Sequence, residues 1–283
     1  MKKLALALTA VAAFGGQAFA ADMAVKARPA PPPVPVANWT GCYIAGSVGY
    51  GLFDNETSGF DRDGVFFAPG TQLTRADFGG RGWLAGGGGG CDYQFGFGGG
   101  GGIFGTGQFV IGFLGDYYWS DMRGQRGSVA FGSFASAQEK IDSQWAVGGR
   151  IGWLVNPNTL TYFSGGYTEA TLTGVGNYFT TVPPAGFVGI GIPGRTVQGW
   201  FLGGGVEYQS GWIPGLTWKT EYRFSEYDNI NRSEFNTGLG FNGAPGTLVG
   251  TFSNDKLFTQ TVMTSLVYRF NFWGPTAPVA ARY

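Results

Sequence analysis

From Trp39 to Phe270 the chain repeats one pattern: stretch after stretch in which every second residue is apolar or aromatic, separated by polar and glycine-rich segments of unequal length. A period of two belongs to strands that turn one face to an apolar medium and the other to something polar or small. No uninterrupted apolar run in this region reaches the length of about 20 residues that a membrane-crossing helix needs.

Eight stretches carry the alternation. Gly41 to Leu52 sets Cys42, Ile44, Val48, Tyr50 and Leu52 against Ser47 and Gly49, and Arg81 to Phe95 sets Trp83, Ala85, Cys91, Tyr93 and Phe95 against Asp92 and Gln94. Gly107 to Ser120 opposes Phe109, Ile111, Phe113, Tyr117 and Trp119 to Gln108, Gly112, Asp116 and Ser120, and Ser143 to Val155 opposes Trp145, Val147, Ile151, Trp153 and Val155 to Gln144, Gly148 and Arg150. The fifth, Thr159 to Thr171, has aromatics on both parities (Tyr162, Phe163, Tyr167), so its faces stay unassigned. In Val197 to Gln209, Trp200, Leu202, Val206 and Tyr208 share one face, with Phe201, Glu207 and Gln209 on the other. Leu216 to Phe224 alternates Leu216, Trp218, Tyr222 and Phe224 with Thr217, Lys219, Glu221 and Arg223, and Lys256 to Phe270 places Phe258, Val262, Leu266, Tyr268 and Phe270 opposite Arg269. The centre of the second stretch is almost pure glycine, which leaves its register weakly determined.

The segment before Trp39 says where the chain goes. Lys2 and Lys3, the apolar run from Leu4 to Phe14 and Ala18-Phe19-Ala20 have the form of a cleavable export signal, expected over residues 1–20. The proline-rich ARPAPPPVPVA of Ala27 to Ala37 cannot enter a sheet, and residues 21–38 are expected to form a periplasmic spacer. An exported chain without a spanning helix is either soluble or a membrane β-barrel. Aromatics are 17% and charged residues 13% of the chain, with 53 glycines, whereas a soluble domain is about one quarter charged. A glycine-rich disordered chain would in turn be poor in Trp and Phe. The composition fits the barrel: apolar and aromatic side chains outside, small residues where strands crowd inside.

Eight is an even number and the smallest common size for a single-chain barrel. Long connections (Phe53 to Gly80, Met122 to Lys140, Gly174 to Thr196, Ser225 to Asp255) alternate with shorter ones (Gly96 to Thr106, Asn156 to Asn158, Ser210 to Gly215). Short turns belong in the periplasm and long loops outside, so both termini fall in the periplasm. The expectation is an all-β, eight-stranded antiparallel transmembrane barrel over residues 39–272, followed by a tail over 273–283.

Specific stretches then carry a resemblance. Trp39-Thr40-Gly41-Cys42-Tyr43-Ile44, the stretch from Gly112 ending GDYYWSD at Asp121, GWFLGGGVEY over Gly199 to Tyr208, LTWKTEY over Leu216 to Tyr222 and the closing LVYRF over Leu266 to Phe270 together resemble the small outer-membrane immunogenic, or porin-family, barrels of alphaproteobacteria. The resemblance covers nearly all of the chain after the signal. It implies an OmpA-like transmembrane barrel, with lipid and lipopolysaccharide of the outer membrane around it and the barrel-assembly machinery as partner during biogenesis. Such barrels usually end on the aromatic residue that closes the last strand, which that machinery reads. Here Tyr268, Phe270 and Phe272 are the candidates, and the tail after them departs from the pattern. Cys42 and Cys91 depart too, standing where the family commonly has aromatics.

Both cysteines fall on the outward face near the periplasmic rim, so they are either a cross-strand disulfide in an oxidising compartment or two separate small hydrophobes. Asp116, Arg150, Glu207, Lys219, Glu221, Arg223 and Arg269 are expected to project into a lumen little wider than their own side chains. There they form either a salt-bridged plug or a charged constriction selecting small solutes; the narrow bore favours the plug, because an unpaired buried charge is costly. Trp39, Tyr43, Trp83, Trp119, Trp153, Trp200 and Trp273 are read as a girdle at the membrane interfaces.

Catalysis is not expected. The chain has no histidine, which removes Ser-His, Asp-His and His-metal chemistry together, and Glu221 with Glu226 is not a distinctive carboxylate pair. Gly86 to Gly90 and Gly98 to Gly102 lack the strand-loop-helix context and the Lys-Ser/Thr of a phosphate-cradling loop. No cofactor or metal is implied. With Lys and Arg matched by Asp and Glu at 18 each, there is no basic surplus for nucleic acid. Three functions remain: a structural envelope protein with surface-exposed loops, a passive pore for very small solutes, and a surface adhesin or receptor. The first accounts for a filled lumen, long loops and the lack of a chemical site.

Overall fold

A computed structural model describes residues 38–61, 68, 72–96, 107–130, 133–179, 188–210, 213–238 and 248–270. The expected signal, most of the spacer, the tail, Phe272 and Trp273 lie outside them.

Eleven strands follow in chain order: β1 (Gly41–Asp61), β2 (Gln72–Gly96), β3 (Gln108–Ala130), β4 (Ser133–Asn156), β5 (Thr159–Leu172), β6 (Val175–Phe179), β7 (Val188–Ile192), β8 (Arg195–Gln209), β9 (Leu216–Tyr227), β10 (Ile230–Gly238) and β11 (Leu248–Phe270). Eight of them close a barrel. Antiparallel pairing runs β1-β2-β3-β4-β5-β8-β9-β11, and β11 returns to β1 from Cys42 opposite Phe270 to Asp61 opposite Gly250. Closure leaves no free edge in the wall, as a membrane-spanning sheet requires. The protein is thus an all-β, closed, eight-stranded antiparallel barrel.

Parity follows the alternation. Ile44, Val48, Trp83, Tyr93, Phe113, Trp119, Ile151, Leu202, Trp218, Val262 and Leu266 all expose their side chains on the outer wall, while Ser47, Asp92, Gln144, Arg150, Glu207 and Arg269 are buried inside. On β3 the outward positions from Phe109 to Trp119 carry no charge; the first is Asp121. Eleven residues at about 3.3 Å rise, tilted by roughly 40°, give a belt about 25 Å tall, the height of an outer-membrane apolar band. Aromatics edge it at both ends: Tyr50 packs on Trp83 and Tyr117 on Trp119 toward the long-loop end, and Phe95 on Phe109 and Tyr268 on Phe270 toward the short-turn end.

Two features differ from the sequence reading. The connections expected over Phe53 to Gly80 and Met122 to Lys140 are in large part strand, because β1 and β2, and β3 and β4, stay paired well beyond the belt. The connections expected over Gly174 to Thr196 and Ser225 to Asp255 contain the short strands β6, β7 and β10; β6 pairs with β4 and β7, and β10 with β7 and β11. None of these three joins the eight that close the wall. The paired wall strands β4 and β5 are joined by the two-residue turn Pro157-Asn158.

The lumen is layered. At the short-turn end Trp39, Val110, Leu154, Leu160 and Tyr162 form an apolar floor. Toward the loop end Phe53, Phe78, Leu84, Met122, Ile141 and Leu257 belong to a larger apolar cluster. Charged side chains occupy the space between.

Candidate functional site

Nearer the loop end Glu139 is buried and accepts from Asn55 Nδ2 at 3.2 Å; deeper in the barrel lie all seven lumen charges read from parity, with Asp92. They sort into two groups. In the first, Arg150 donates from Nε to Asp92 Oδ1 at 2.8 Å, from Nη2 to Asp92 Oδ2, and from Nη1 to Glu207 Oε2 at 3.1 Å. Arg269 donates from Nη1 to Asp92 Oδ2 at 2.6 Å and from Nη2 to Glu207 Oε1 at 2.7 Å. Two arginines and two carboxylates thus alternate around a ring, and the Thr217 hydroxyl adds a bond to Glu207 Oε1 at 2.8 Å. In the second, Arg223 grips Asp116 with both Nη atoms at 2.8 and 2.7 Å and reaches Glu221 Oε1 at 2.7 Å. Lys219 lies 3.6 Å from Glu221 Oε2, which also accepts from the Tyr162 hydroxyl at 2.6 Å. Each group holds two positive and two negative side chains, so each is neutral.

Aromatic faces complete the solvation of the cations. Arg150 lies over Tyr43 at 4.6 Å and Tyr162 at 5.1 Å, Arg223 over Phe201 at 4.4 Å and Arg269 over Trp39 at 4.8 Å. Charges withdrawn from water persist only when paired and bonded to this degree. The cost of keeping them inside is offset by geometry rather than by hydration.

Glycines make the room. Tyr43 faces Gly90, and Tyr162 is opposite Gly205 in the β5–β8 register. A Cβ at either glycine would stand 2.7 Å from the tyrosine hydroxyl. Gly205→Val is therefore expected to displace the Tyr162 hydroxyl from Glu221 and to lower barrel stability by about 1–3 kcal/mol, the usual cost of overpacking. Urea unfolding followed by the migration of unboiled protein on a gel measures it.

Trp39 and Tyr43 are not girdle residues. Trp39 is 1% exposed: it lies in the barrel mouth, where its backbone N–H donates to Gln94 Oε1 at 2.8 Å, its indole N–H to the Pro157 carbonyl at 3.3 Å, and its carbonyl accepts from Arg269 at 3.1 Å. Tyr43 shares the inward parity of Ser47 and touches Arg150. Trp83, Trp119 and Trp200 do face outward, and Trp153 lies half-buried on the same wall. The unassigned β5 resolves as Tyr162 inward, Phe163 and Tyr167 outward.

Outside the lumen, Cys42 stands opposite Cys91 across β1 and β2, and their Sγ atoms are bonded. Tyr268 and Phe270 lie on the outer wall at the short-turn end of β11, beside this pair. At the loop-end rim, Asp121 bonds Arg123 at 2.8 Å and lies 3.3 Å from Lys140, which bonds Asp142 at 2.8 Å. The Arg123 bond holds the Asp121 carboxyl below its ordinary range, and the Asp142 bond raises the Lys140 ammonium above its own. Among the described residues no group of three or more His, Cys, Asp or Glu side chains is placed to hold a metal ion.

A closed barrel with a charge-free aromatic-edged belt and a polar interior defines an integral β-barrel protein of the outer membrane. Comparison with known proteins points to the same class. No family model matches the chain. It is 27% identical over 276 residues to the 31 kDa outer-membrane immunogenic protein of Brucella melitensis, covering 95% of this chain and 100% of the relative. It is 24% identical to the 25 kDa outer-membrane immunogenic protein of Brucella canis, over 95% and 99% of the two chains. These are the outer-membrane immunogenic proteins that the sequence resemblance implies, and neither name denotes an enzyme. Among solved structures, OprG of Pseudomonas aeruginosa aligns at 12% identity with a TM-score of 0.42, over 84% of this chain and 99% of that one.

Proposed function

We propose that this outer-membrane barrel is a non-conducting, non-catalytic structural protein of the envelope that presents its loop-end strands at the cell surface. The observation that carries this reading is the filled lumen. Two neutral four-charge groups span the bore between an apolar floor and an apolar cluster, and every charge in them has an opposite charge within 3.6 Å. A selective pore needs charges that a passing ion can borrow; here the protein's own groups hold them. In this reading Tyr268, Phe270 and Phe272 carry the signal for the assembly machinery, and residues 21–38 tether the barrel on the periplasmic side.

Two measurements test it. Liposomes carrying the refolded protein are expected to swell in small sugars no faster than empty ones, and swelling that scales with protein would reverse the reading toward a diffusion pore. A strain lacking the gene is expected to become more sensitive to detergent. Unchanged sensitivity with loss of surface binding to host cells would point to an adhesin instead.

A further inference from the structure

Arg81, Arg123 and Lys140 stand side by side across β2, β3 and β4, with Arg81 opposite Arg123 and Arg123 opposite Lys140 in the strand register. Like charges directly opposite repel. Asp121 and Asp142 relieve part of that repulsion: Asp121 takes the Nε and Nη2 of Arg123 and approaches Lys140, and Asp142 takes Lys140. Among the described residues Arg81 has no ion pair, and the Nη1 of Arg123 has no acceptor. The row thus sets three positive charges against the two aspartates bonded to it and keeps a set of unused guanidinium donors.

Its height on the wall says what faces it. Arg81 lies two residues beyond Trp83 on β2, and Arg123 two beyond Asp121, itself two beyond Trp119 on β3. All three cations point away from the lumen, on the first charged level past the extracellular aromatic edge. That is the headgroup level of the outer leaflet. Directly above, β2 and β3 part: their pairing ends at Gly80 opposite Gly124, after which β2 stays with β1 and β3 with β4. The parting opens a recess of about 1060 Å³ lined by Arg81, Arg123, Gln125 and Gln138, with Asp54 and Asp77 on its β1 side. Gly79, Gly80 and Gly124 put no side chain in it.

We propose that Arg81, Arg123 and Lys140 form a binding site for the phosphate of a phosphorylated glycolipid in the outer leaflet. A planar guanidinium matches phosphate oxygens two at a time, and a second guanidinium across the strand pair offers the same fork from the other side. The lipid's acyl chains then lie along the belt below, against Trp83 and Trp119. Asp54 and Asp77 repel an anion from the β1 side and confine it to the cationic row. The proposal does not depend on whether the lumen conducts.

The test uses the full-length refolded barrel in detergent with bis-phosphorylated lipid A and the same lipid after phosphatase treatment, binding being read by native mass spectrometry. Arg81→Ala/Arg123→Ala is expected to weaken binding of the phosphorylated lipid about tenfold, as loss of charge-assisted guanidinium contacts does. The dephosphorylated lipid should bind the wild-type barrel as weakly as the phosphorylated lipid binds the variant. The variant's unboiled gel migration serves as the folding control, and Arg81→Lys gives a second, milder variant expected to bind at an intermediate level. Equal binding of both lipids to wild type, or of the phosphorylated lipid to wild type and double variant, overturns the proposal. So does displacement of the lipid by equimolar inorganic phosphate, which would make this a site for free anions.

Discussion

Asp92→Ala is expected to cost the barrel about 3–5 kcal/mol, the range for removing one partner from a buried ion pair. Asp92 is the hinge of the first charged group, because both of its oxygens are engaged and both arginines depend on it. Without it, Arg150 and Arg269 share Glu207 alone, and the group carries a net positive charge in a space sealed by Trp39 below. The rim supplies the contrast: Asp121→Ala breaks contacts between side chains that are about half exposed, where water screens an ion pair and little stability rests on it. The temperature at which unboiled protein shifts to the position of boiled protein should fall markedly for the first variant and hardly move for the second. Replacing Asp92, Arg150, Glu207 and Arg269 together by Leu and Met is expected to restore much of the loss, since a whole buried ionic group exchanged for packed apolar side chains is often neutral. Equal shifts for Asp92→Ala and Asp121→Ala would show that the ring is not a closed, desolvated unit.

Replacing Cys42 and Cys91 together by serine is expected to lower stability by roughly 2–4 kcal/mol, as opening a loop of this length does, and also to reduce the yield of correctly folded barrel. The second effect follows from β2. Its central residues, Gly86 to Gly90, face five residues of β1 with no side chain to choose between registers, and a glycine strand is prone to slip. Slippage by two residues would move Asp92 out of reach of both arginines while keeping every side chain on its own face. The disulfide removes that freedom at the short-turn end of the hairpin. Refolding with and without reductant, scored by the fraction of protein that migrates as a folded barrel, measures the effect. A serine double variant that refolds with wild-type yield and heat stability would show that the register is set elsewhere.

The wall of this barrel is legible in the sequence because the bilayer imposes a strict demand on every second residue. Ile44, Val48, Trp83, Phe113, Trp119, Leu202, Val262 and Leu266 all meet it, and the strand count follows. The seven charges Asp116, Arg150, Glu207, Lys219, Glu221, Arg223 and Arg269 are legible for the complementary reason, since no charge at those parities can face lipid. Asp92 has the same parity signal, opposite Trp83 and Cys91. Its importance comes from partners 58 and 177 residues away, which only closure brings together. Trp39 misleads because an aromatic residue at a strand end usually marks the interface; here the chain turns into the mouth and offers the ring to Arg269. The apolar layers inside, Leu84, Val110, Met122, Leu154 and Leu160 among them, lie at inward positions, where composition alone suggests polar or small residues. The short strands β6, β7 and β10 lie beyond the bilayer, where nothing enforces the alternation that reveals the others.

Single-channel recording in a planar bilayer, with protein first shown by its unboiled gel shift to be a folded barrel, asks whether the lumen is closed. No discrete conductance steps are expected from the wild-type protein, because the two neutral charged groups and the apolar layers on either side fill the bore. Steps that scale with inserted protein, and whose ion selectivity changes when Arg150 or Glu221 is neutralised, would show instead an open, charge-lined pore.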